Sequence, residues 1–291
     1  FKTPAHAAGW GVFAAGLLEA ALLAGAAWRA GLLVPPLKPQ LSEDVRRFFT
    51  AFLPAVIGSA GVQIAMFADT ILSTLLPEGS ASALYYADRI YQLPMGVIAI
   101  AAGTVLLPAM SKRIAEQDIA GAHRAQNRTL GLTLLFAAPC WVAILLIPEL
   151  IIRAVFQRGA FDERAVGEAA GVLAAYGVGL IAAVSIRGVV ASFHARGDTR
   201  TPMVVSLAAV AVNVALKFAL VGPFGVMGLA LATALGASLN LAVLIWIADG
   251  RRWFAPDGGL LRAIGAAAAG SLALALLLVT TATPLAGMLA G

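Results

Sequence analysis

Arg89 lies in the run Tyr85-Tyr86-Ala87-Asp88-Arg89, near the start of an apolar stretch that continues to about Met110. A cation inside a membrane helix costs about 2.5–3.5 kcal/mol on insertion scales, so such a residue faces a protein interior or a watery cavity and marks a functional position. Its guanidinium stays protonated, and its planar fork fits the oxygens of a phosphate. Anion binding is the chemistry that this residue type offers there. Asp69 lies eight residues before Pro77 and Arg89 nine residues after Ser80, on either side of the hairpin Pro77-Glu78-Gly79-Ser80. At a rise of ~1.5 Å per residue both lie roughly 12–14 Å from the turn and can meet at one depth.

Ser82, Tyr85, Arg89, Gln92 and Gly96 follow one helical face, and Ser59, Gln63, Met66, Thr70 and Ser73 form a similar stripe on the preceding segment. Two such stripes would line a hydrated cavity. Arg89, Asp69, Tyr85, Gln92 and Gln63 are the candidate substrate-binding residues. Asp88 is the sixth candidate, although it sits about 100° around the helix from Arg89 and can serve a different partner. The alternative is an Arg89–Asp69 or Arg89–Asp88 pair that only ties two helices together.

These residues need membrane helices to position them. Hydrophobic residues make up 60% of the chain and charged residues 12%, with a mean hydropathy of +0.90, whereas about a quarter of the residues of a soluble domain are charged. The composition is that of a polytopic membrane protein. Stretches at about 7–28, 48–76, 84–110, 125–148, 165–193, 201–221, 225–247 and 260–283 are long enough to cross about 30 Å of hydrocarbon as helices. They are continuously apolar and rich in Leu and Ala, without the alternation of a membrane β-barrel, so the fold class is all-α. Pro54, Pro94, Pro108 and Pro139 fall within or near the ends of these spans and permit kinks. Kinked helices around intramembrane charge suggest a transporter more than a rigid anchor.

Basic residues orient the chain. Those of 29–47, 112–128, 196–200 and 251–262 fall on one side, while Lys2, Arg153, Arg158 and Arg164 lie opposite, the last three among Glu149, Asp162 and Glu163. The positive-inside rule then puts both ends of the chain outside. The pI of 9.8 reflects loops that touch anionic lipid and requires no nucleic acid.

The lone Cys140 excludes an intrachain disulfide and reads as a buried structural thiol. His6, His123 and His194 have no metal-site spacing. Asn127-Arg128-Thr129 matches a glycosylation sequon but falls in an expected cytoplasmic loop. Lys217 and Arg187 lie close enough to helix ends to snorkel, Glu19 is charged within the first span, and Gly167-x-x-x-Gly171 permits close helix contact. The opening Phe1-Lys2-Thr3-Pro4 lacks an initiator Met, so the chain reads as the C-terminal part of a longer protein.

The runs Phe52-Leu53-Pro54-Ala55 to Gln63, Ala68-Asp69-Thr70-Ile71-Leu72, Tyr85 to Ile90, Leu93-Pro94-Met95-Gly96-Val97 and Gly103 to Pro108 resemble the MurJ (MviN) lipid II flippases of bacteria. Val155-Phe156-Gln157-Arg158-Gly159-Ala160-Phe161, Phe193 to Pro202 and Gly222 to Gly228 are similar to the same family.

The resemblance implies the fold of the multidrug/oligosaccharidyl-lipid/polysaccharide exporter superfamily, with fourteen helices in two six-helix lobes plus two groove-lining helices. The present spans would be the sixth through the thirteenth. Residues 1–29 would then be the last helix of the N-terminal lobe, 30–47 a cytoplasmic inter-lobe linker, 48–247 the six-helix C-terminal lobe, and 248–291 a linker and the first groove helix.

The implied function is flipping of undecaprenyl-pyrophosphate-linked peptidoglycan precursor from the cytoplasmic to the periplasmic leaflet by alternating access, in support of cell wall synthesis and cell shape. Arg89 matches the family's functional arginine in the C-terminal lobe. The expected partners are the undecaprenyl-linked lipid and membrane lipids, with cell-wall synthesis and division proteins as candidates, around a monomeric inner-membrane transporter with no cofactor. A sister exporter of another polyprenyl-linked glycan or of drugs is the alternative. A membrane transferase acting on polyprenyl phosphates is the reading from a different class, but the chain has no Asp-Asp-x-x-Asp pair for magnesium pyrophosphate chemistry.

Overall fold

The structure is a computed structural model that describes residues 4–31, 43–159 and 161–289, with the side chains at 4, 5, 8, 44, 47, 48, 50–62 and 282–289 outside the description. The inter-lobe linker expected at 30–47 falls largely outside the described residues, as do the side chains of Pro54 and Ser59. The chain divides into two units, 1–53 and 54–291. The first contains α1 (Pro4–Arg29) and the opening turns of α2 (Glu43–Thr74).

The second continues through α3 (Ser80–Pro94), a π-helical turn (Met95–Ala99), α4 (Ile100–Ala115), α5 (Ile119–Leu146) and α6 (Pro148–Phe156). It ends with α7 (Glu163–Gly177), α8 (Leu180–Ala195), α9 (Arg200–Phe224), α10 (Val226–Gly250) and α11 (Gly258–Leu289). Among the described residues six helices are long and apolar enough to span a membrane, or seven when α7 and α8, bent by 42° at their junction, count as one. The expected span at 48–76 corresponds to the 32-residue α2.

Local chemistry explains the boundaries. Asp118, Asp162 and Asp257 each accept a backbone N–H three residues on, from Gly121 at 2.7 Å, Ala165 at 2.9 Å and Leu260 at 2.8 Å, and so cap α5, α7 and α11. Pro148 opens α6, where its missing N–H costs nothing. Gly79 precedes α3 with φ +99 and Gly225 separates α9 from α10 with φ +56, left-handed conformations that turn the chain back on itself.

Of the expected kink sites, Pro94 is followed by the π-helical turn, whereas Pro108 and Pro139 lie within continuous helices. A proline ring collides with the carbonyl four residues earlier, and a wider turn relieves such a collision.

The core is built on α3, α7, α8 and α10. Leu84, Ala87 and Tyr91 of α3 meet Leu173 and Tyr176 of α7, Leu180 and Val184 of α8, and Leu229 of α10. The Tyr91 and Tyr176 rings stack at 4.9 Å and 19°. Lipid tails are as apolar as leucine, so helix association in a bilayer depends on close packing and small residues.

A methyl group at Gly179 would stand 2.5 Å from the Ala234 Cα, which locks the α7–α8 junction against α10. Of the Gly167/Gly171 pair only Gly171 is at a close approach, where an added methyl group would stand 2.9 Å from the Met227 sulfur, while Gly167 faces open space.

At the end of the lobe that holds the basic loops, a polar clamp joins the α8–α9 and α10–α11 connections. Arg251 pairs with Asp198 and lies 4.9 Å from the Trp253 ring. Arg196 approaches the same ring from 5.3 Å. Asn127 donates to the Ala255 carbonyl at 2.7 Å, so this sequon asparagine is a buried structural group. Burial opposes the charge on Asp198, but the Thr201 hydroxyl and amide, with the Arg251 guanidinium, hold its carboxyl at about 2 against an ordinary 3.8. Asp198 is therefore part of a tie between connections and not a solvated turn residue.

Two outcomes test this packing. Gly179→Ala should lower stability by roughly 1–3 kcal/mol through overpacking, read as an earlier melting transition in detergent, while Gly167→Ala leaves it unchanged or raises it. A depressed carboxyl contributes stability that is present above its unfolded pKa and lost as pH falls through the folded value. Asp198→Asn should therefore melt earlier than the parent at pH 7, with the difference closing between the ordinary carboxylate value near 3.8 and the folded value of about 2.

Candidate functional site

The α3 helix has two faces. Ala83, Leu84, Ala87 and Tyr91 are buried against the lobe, while Ser82, Tyr85, Arg89 and Gln92 are exposed in the pattern expected of one helical face, which Gly96 continues into the π-helical turn. From α2, Gln63, Met66 and Thr70 are exposed as well. Ser73 departs from the expected stripe, being buried with its hydroxyl donating to the Thr70 carbonyl at 3.0 Å.

Arg89 pairs with neither Asp69 nor Asp88 among the described residues. Its guanidinium lies 4.7 Å from the centre of the Tyr85 ring, four residues earlier and thus on the same face. Asp88, a full 100° away around the helix, accepts instead from the Gln92 side-chain amide. Arg89 and the neighbouring Asp88 therefore attract each other through space without a direct salt bridge. Its fork is left on the exposed face, steadied by an aromatic ring and bonded to no protein acceptor among the described residues.

Asp69 does not meet Arg89. It receives the Lys217 ammonium of α9 at 2.8 Å, and the same ammonium donates to the Ala65 carbonyl at 3.0 Å. The reason is angular: Asp69 is about 100° around α2 from Thr70, so it points to α9 and away from the Gln63 stripe. Lys217 does not snorkel, because its side chain is 1% exposed and α9 continues to Phe224 beyond it. Arg187, the other cation expected to reach the interface, is exposed. Cys140, expected to be buried, is half-buried, with its thiol directed to the Phe136 carbonyl.

Lys217 and Asn213 are the site residues that the sequence reading missed. They lie one turn apart on α9, and the Oδ1 atoms of Asn213 and Asp69 are both buried without a hydrogen-bond partner. The usable signal was charge balance, since Lys217 and Asp69 are opposite charges within apolar spans and each needs a partner in the bilayer. Among the described residues no group of three His, Cys, Asp or Glu side chains could hold a metal ion. The arrangement offers an unmatched cation on a polar intramembrane face and a separate internal ion pair.

Breaking a buried pair by removing one partner costs about 3–5 kcal/mol, because the other charge stays uncompensated. Lys217→Met should therefore reduce the folded protein recovered from membranes and its melting temperature. Adding Asp69→Asn should recover most of that loss, a non-additivity that a double-mutant cycle measures directly.

The family model for the lipid II flippase MurJ matches residues 1–287. The "Probable lipid II flippase MurJ" of Rhizobium meliloti (strain 1021) is 38% identical over 241 residues, covering 81% of this chain and 45% of that protein. The lipid II flippase MurJ of Burkholderia cenocepacia is 28% identical over 265 residues, covering 90% of this chain and 51% of that one. The chain thus spans about half the length of the curated relatives it matches.

Among solved structures, an inward closed conformation of lipid II flippase MurJ superposes with a TM-score of 0.66 at 22% identity, over 85% of this chain and 57% of that one. An outward-facing multidrug resistance MATE transporter of the MOP superfamily gives 0.61 at 20% identity, over 76% and 51%. These likenesses establish an all-helical exporter-type fold, and the chain, a multi-pass protein of the bacterial inner membrane, belongs to the MurJ lipid II flippase family.

Proposed function

We propose that the chain supplies one lobe of a flippase that carries undecaprenyl-pyrophosphate-linked peptidoglycan precursor from the cytoplasmic to the periplasmic leaflet by alternating access. The observation that carries this reading is the Arg89 guanidinium, exposed on a polar face of an intramembrane helix and bonded to no carboxylate among the described residues. A pyrophosphate headgroup is the anion that such a fork would take, in bidentate contacts that a lysine cannot reproduce. Tyr85, Gln92 and Gln63 border the same faces as uncharged donors and acceptors for a sugar. Asp69 and Asp88, engaged with Lys217 and Gln92, act as positioning groups in this reading and not as direct ligands.

Residues 48–247 form the C-terminal lobe in this scheme, 1–29 the last helix of the preceding lobe, 30–47 the cytoplasmic linker, and 248–291 the connection and first groove helix. The basic connections face the cytoplasm and the Pro77–Ser80 hairpin the periplasm, following the charge asymmetry. The partners are then the polyprenyl-linked substrate and the surrounding lipid, and the activity is transport without covalent chemistry.

The test is substitution of Arg89 in the full-length protein. Charge-assisted hydrogen bonds contribute about 1.5–3 kcal/mol, so Arg89→Ala should reduce the appearance of precursor on the outer face of cells by tenfold or more, at unchanged membrane level. Arg89→Lys should recover part of it. Normal flipping by Arg89→Ala, or a loss that follows the amount of folded protein, would count against substrate binding here.

A further inference from the structure

The run Val155 to Phe161 takes no part in the Arg89 face. Val155 and Phe156 at the end of α6, with Arg158 and Phe161 beyond it, border a cleft of about 890 Å³ whose opposite wall is the hairpin end of α3. The floor is aromatic: the Tyr86 ring lies 4.8 Å from Phe156 and 5.1 Å from Phe161.

Part of the charge at the rim is already engaged. Arg164 pairs with Glu168 at 3.1 Å, and Asp162 caps α7 by accepting from the Ala165 amide at 2.9 Å. Arg153 and Gln157 of the same segment both donate to Glu163, which braces the turn from behind. Besides the capping carboxylate of Asp162, two charges at the rim stand outside any ion pair among the described residues. Arg158 is exposed and donates only to the nearby Val155 carbonyl among the described residues, and Glu78 across the cleft has no ion-pair partner among them.

An aromatic floor between an unmatched guanidinium and an unmatched carboxylate suits a ligand with apolar ring faces, hydroxyl or amide donors and a carboxylate of its own. Carbohydrate rings present C–H faces that pack on aromatic side chains, and a guanidinium fork holds a carboxylate bidentately. The cleft also adjoins the Arg89 face. Tyr85, whose ring lies under the Arg89 guanidinium, is 5.8 Å from the Tyr86 ring in the cleft floor.

We propose that this cleft is a second headgroup site, at the hairpin end of the lobe, for a carboxylate-bearing glycopeptide. It rests on the flippase reading for its direction, since the hairpin end is then the side on which the headgroup emerges. Arg158 holds the ligand's carboxylate, Glu78 accepts from its hydroxyl or amide groups, and Tyr86, Phe156 and Phe161 support the sugar ring. Arg89 retains the pyrophosphate.

The experiment uses the purified full-length protein in nanodiscs and two soluble probes without lipid or pyrophosphate: muramyl dipeptide, which carries a carboxylate, and diacetylchitobiose, which carries none. Ligand-observed NMR titration should detect muramyl dipeptide at millimolar concentration and bind it about tenfold more tightly than diacetylchitobiose. Arg158→Ala should weaken the dipeptide about tenfold, Arg158→Lys less, and Arg124→Ala at the opposite end of the lobe not at all.

No binding of the dipeptide by the parent protein, equal affinity for the two probes, or equal binding by Arg158→Ala would overturn the proposal. The probe selectivity of the parent protein decides the matter even if an Arg158 variant does not fold. A parent protein that binds the dipeptide selectively yet moves no precursor across the membrane would instead sink the flippase reading and leave the cleft standing.

Discussion

Charge inside a bilayer must be matched, and the ion pair between Lys217 and Asp69 is where this lobe meets that constraint. The ammonium gives one hydrogen bond to the carboxylate and one to the Ala65 carbonyl, so both of its recorded bonds run from α9 to α2. Many of the described side chains of α2, among them Ile64, Met66, Phe67 and Ile71, are exposed. A charge-assisted contact therefore contributes to its attachment where apolar packing is sparse. The same contact has a consequence for Arg89. With Asp69 paired to Lys217 and Asp88 hydrogen-bonded to Gln92, the guanidinium makes no salt bridge among the described residues, and the neighbouring Asp88 attracts it only at longer range. Its charge is available to a ligand because two carboxylates within reach on the sequence are committed elsewhere.

The face that carries Arg89 depends on what lies behind it. Ala83 and Ala87 are small enough for α3 to approach α7, and Tyr91 fills the next position by stacking on Tyr176. A helix held in this way presents Arg89 from a rigid element, which suits a binding group better than a loop does. The π-helical turn after Pro94 ends this arrangement. Five residues from Met95 to Ala99 take the wider winding, so the direction in which α4 presents its side chains is set independently of α3.

Much of the architecture was legible in the sequence because a bilayer allows so few solutions. Continuous apolar segments of membrane length had to be helices, and the expected spans coincide with α1 through α5 and α7 through α11 apart from internal breaks. Those breaks were less legible. The short α6 falls between the expected spans at 125–148 and 165–193, although Pro148 and the Asp162 cap mark its surroundings, and the α7–α8 junction packs against Ala234, far away in the chain. At the site, the exposed stripe of Ser82, Tyr85, Arg89 and Gln92 followed from helical periodicity alone. The pairing did not. Depth along a hairpin places Asp69 and Arg89 at one level, but a rotation of about 100° per residue directs Asp69 to a lysine nearly 150 positions later.

The two polar regions of the lobe differ in how much of their charge is committed, and this separates structural from functional polarity. At the basic end, Asp198, Arg251, Arg196 and Asn127 are joined to one another, to Trp253 and to backbone carbonyls, so the clamp is internally complete. At the hairpin end, Arg153 is satisfied by Glu149 and Glu163, and Arg164 by Glu168. Arg158 and Arg89 stand outside these sets, on either side of the Tyr85 and Tyr86 rings. A charge already matched within its own lobe gains little from a ligand, because binding would have to replace an existing partner of similar strength. Unmatched charges keep their full electrostatic attraction for an incoming group, and two of them, Arg89 on α3 and Arg158 after α6, are linked through the neighbouring Tyr85 and Tyr86 rings.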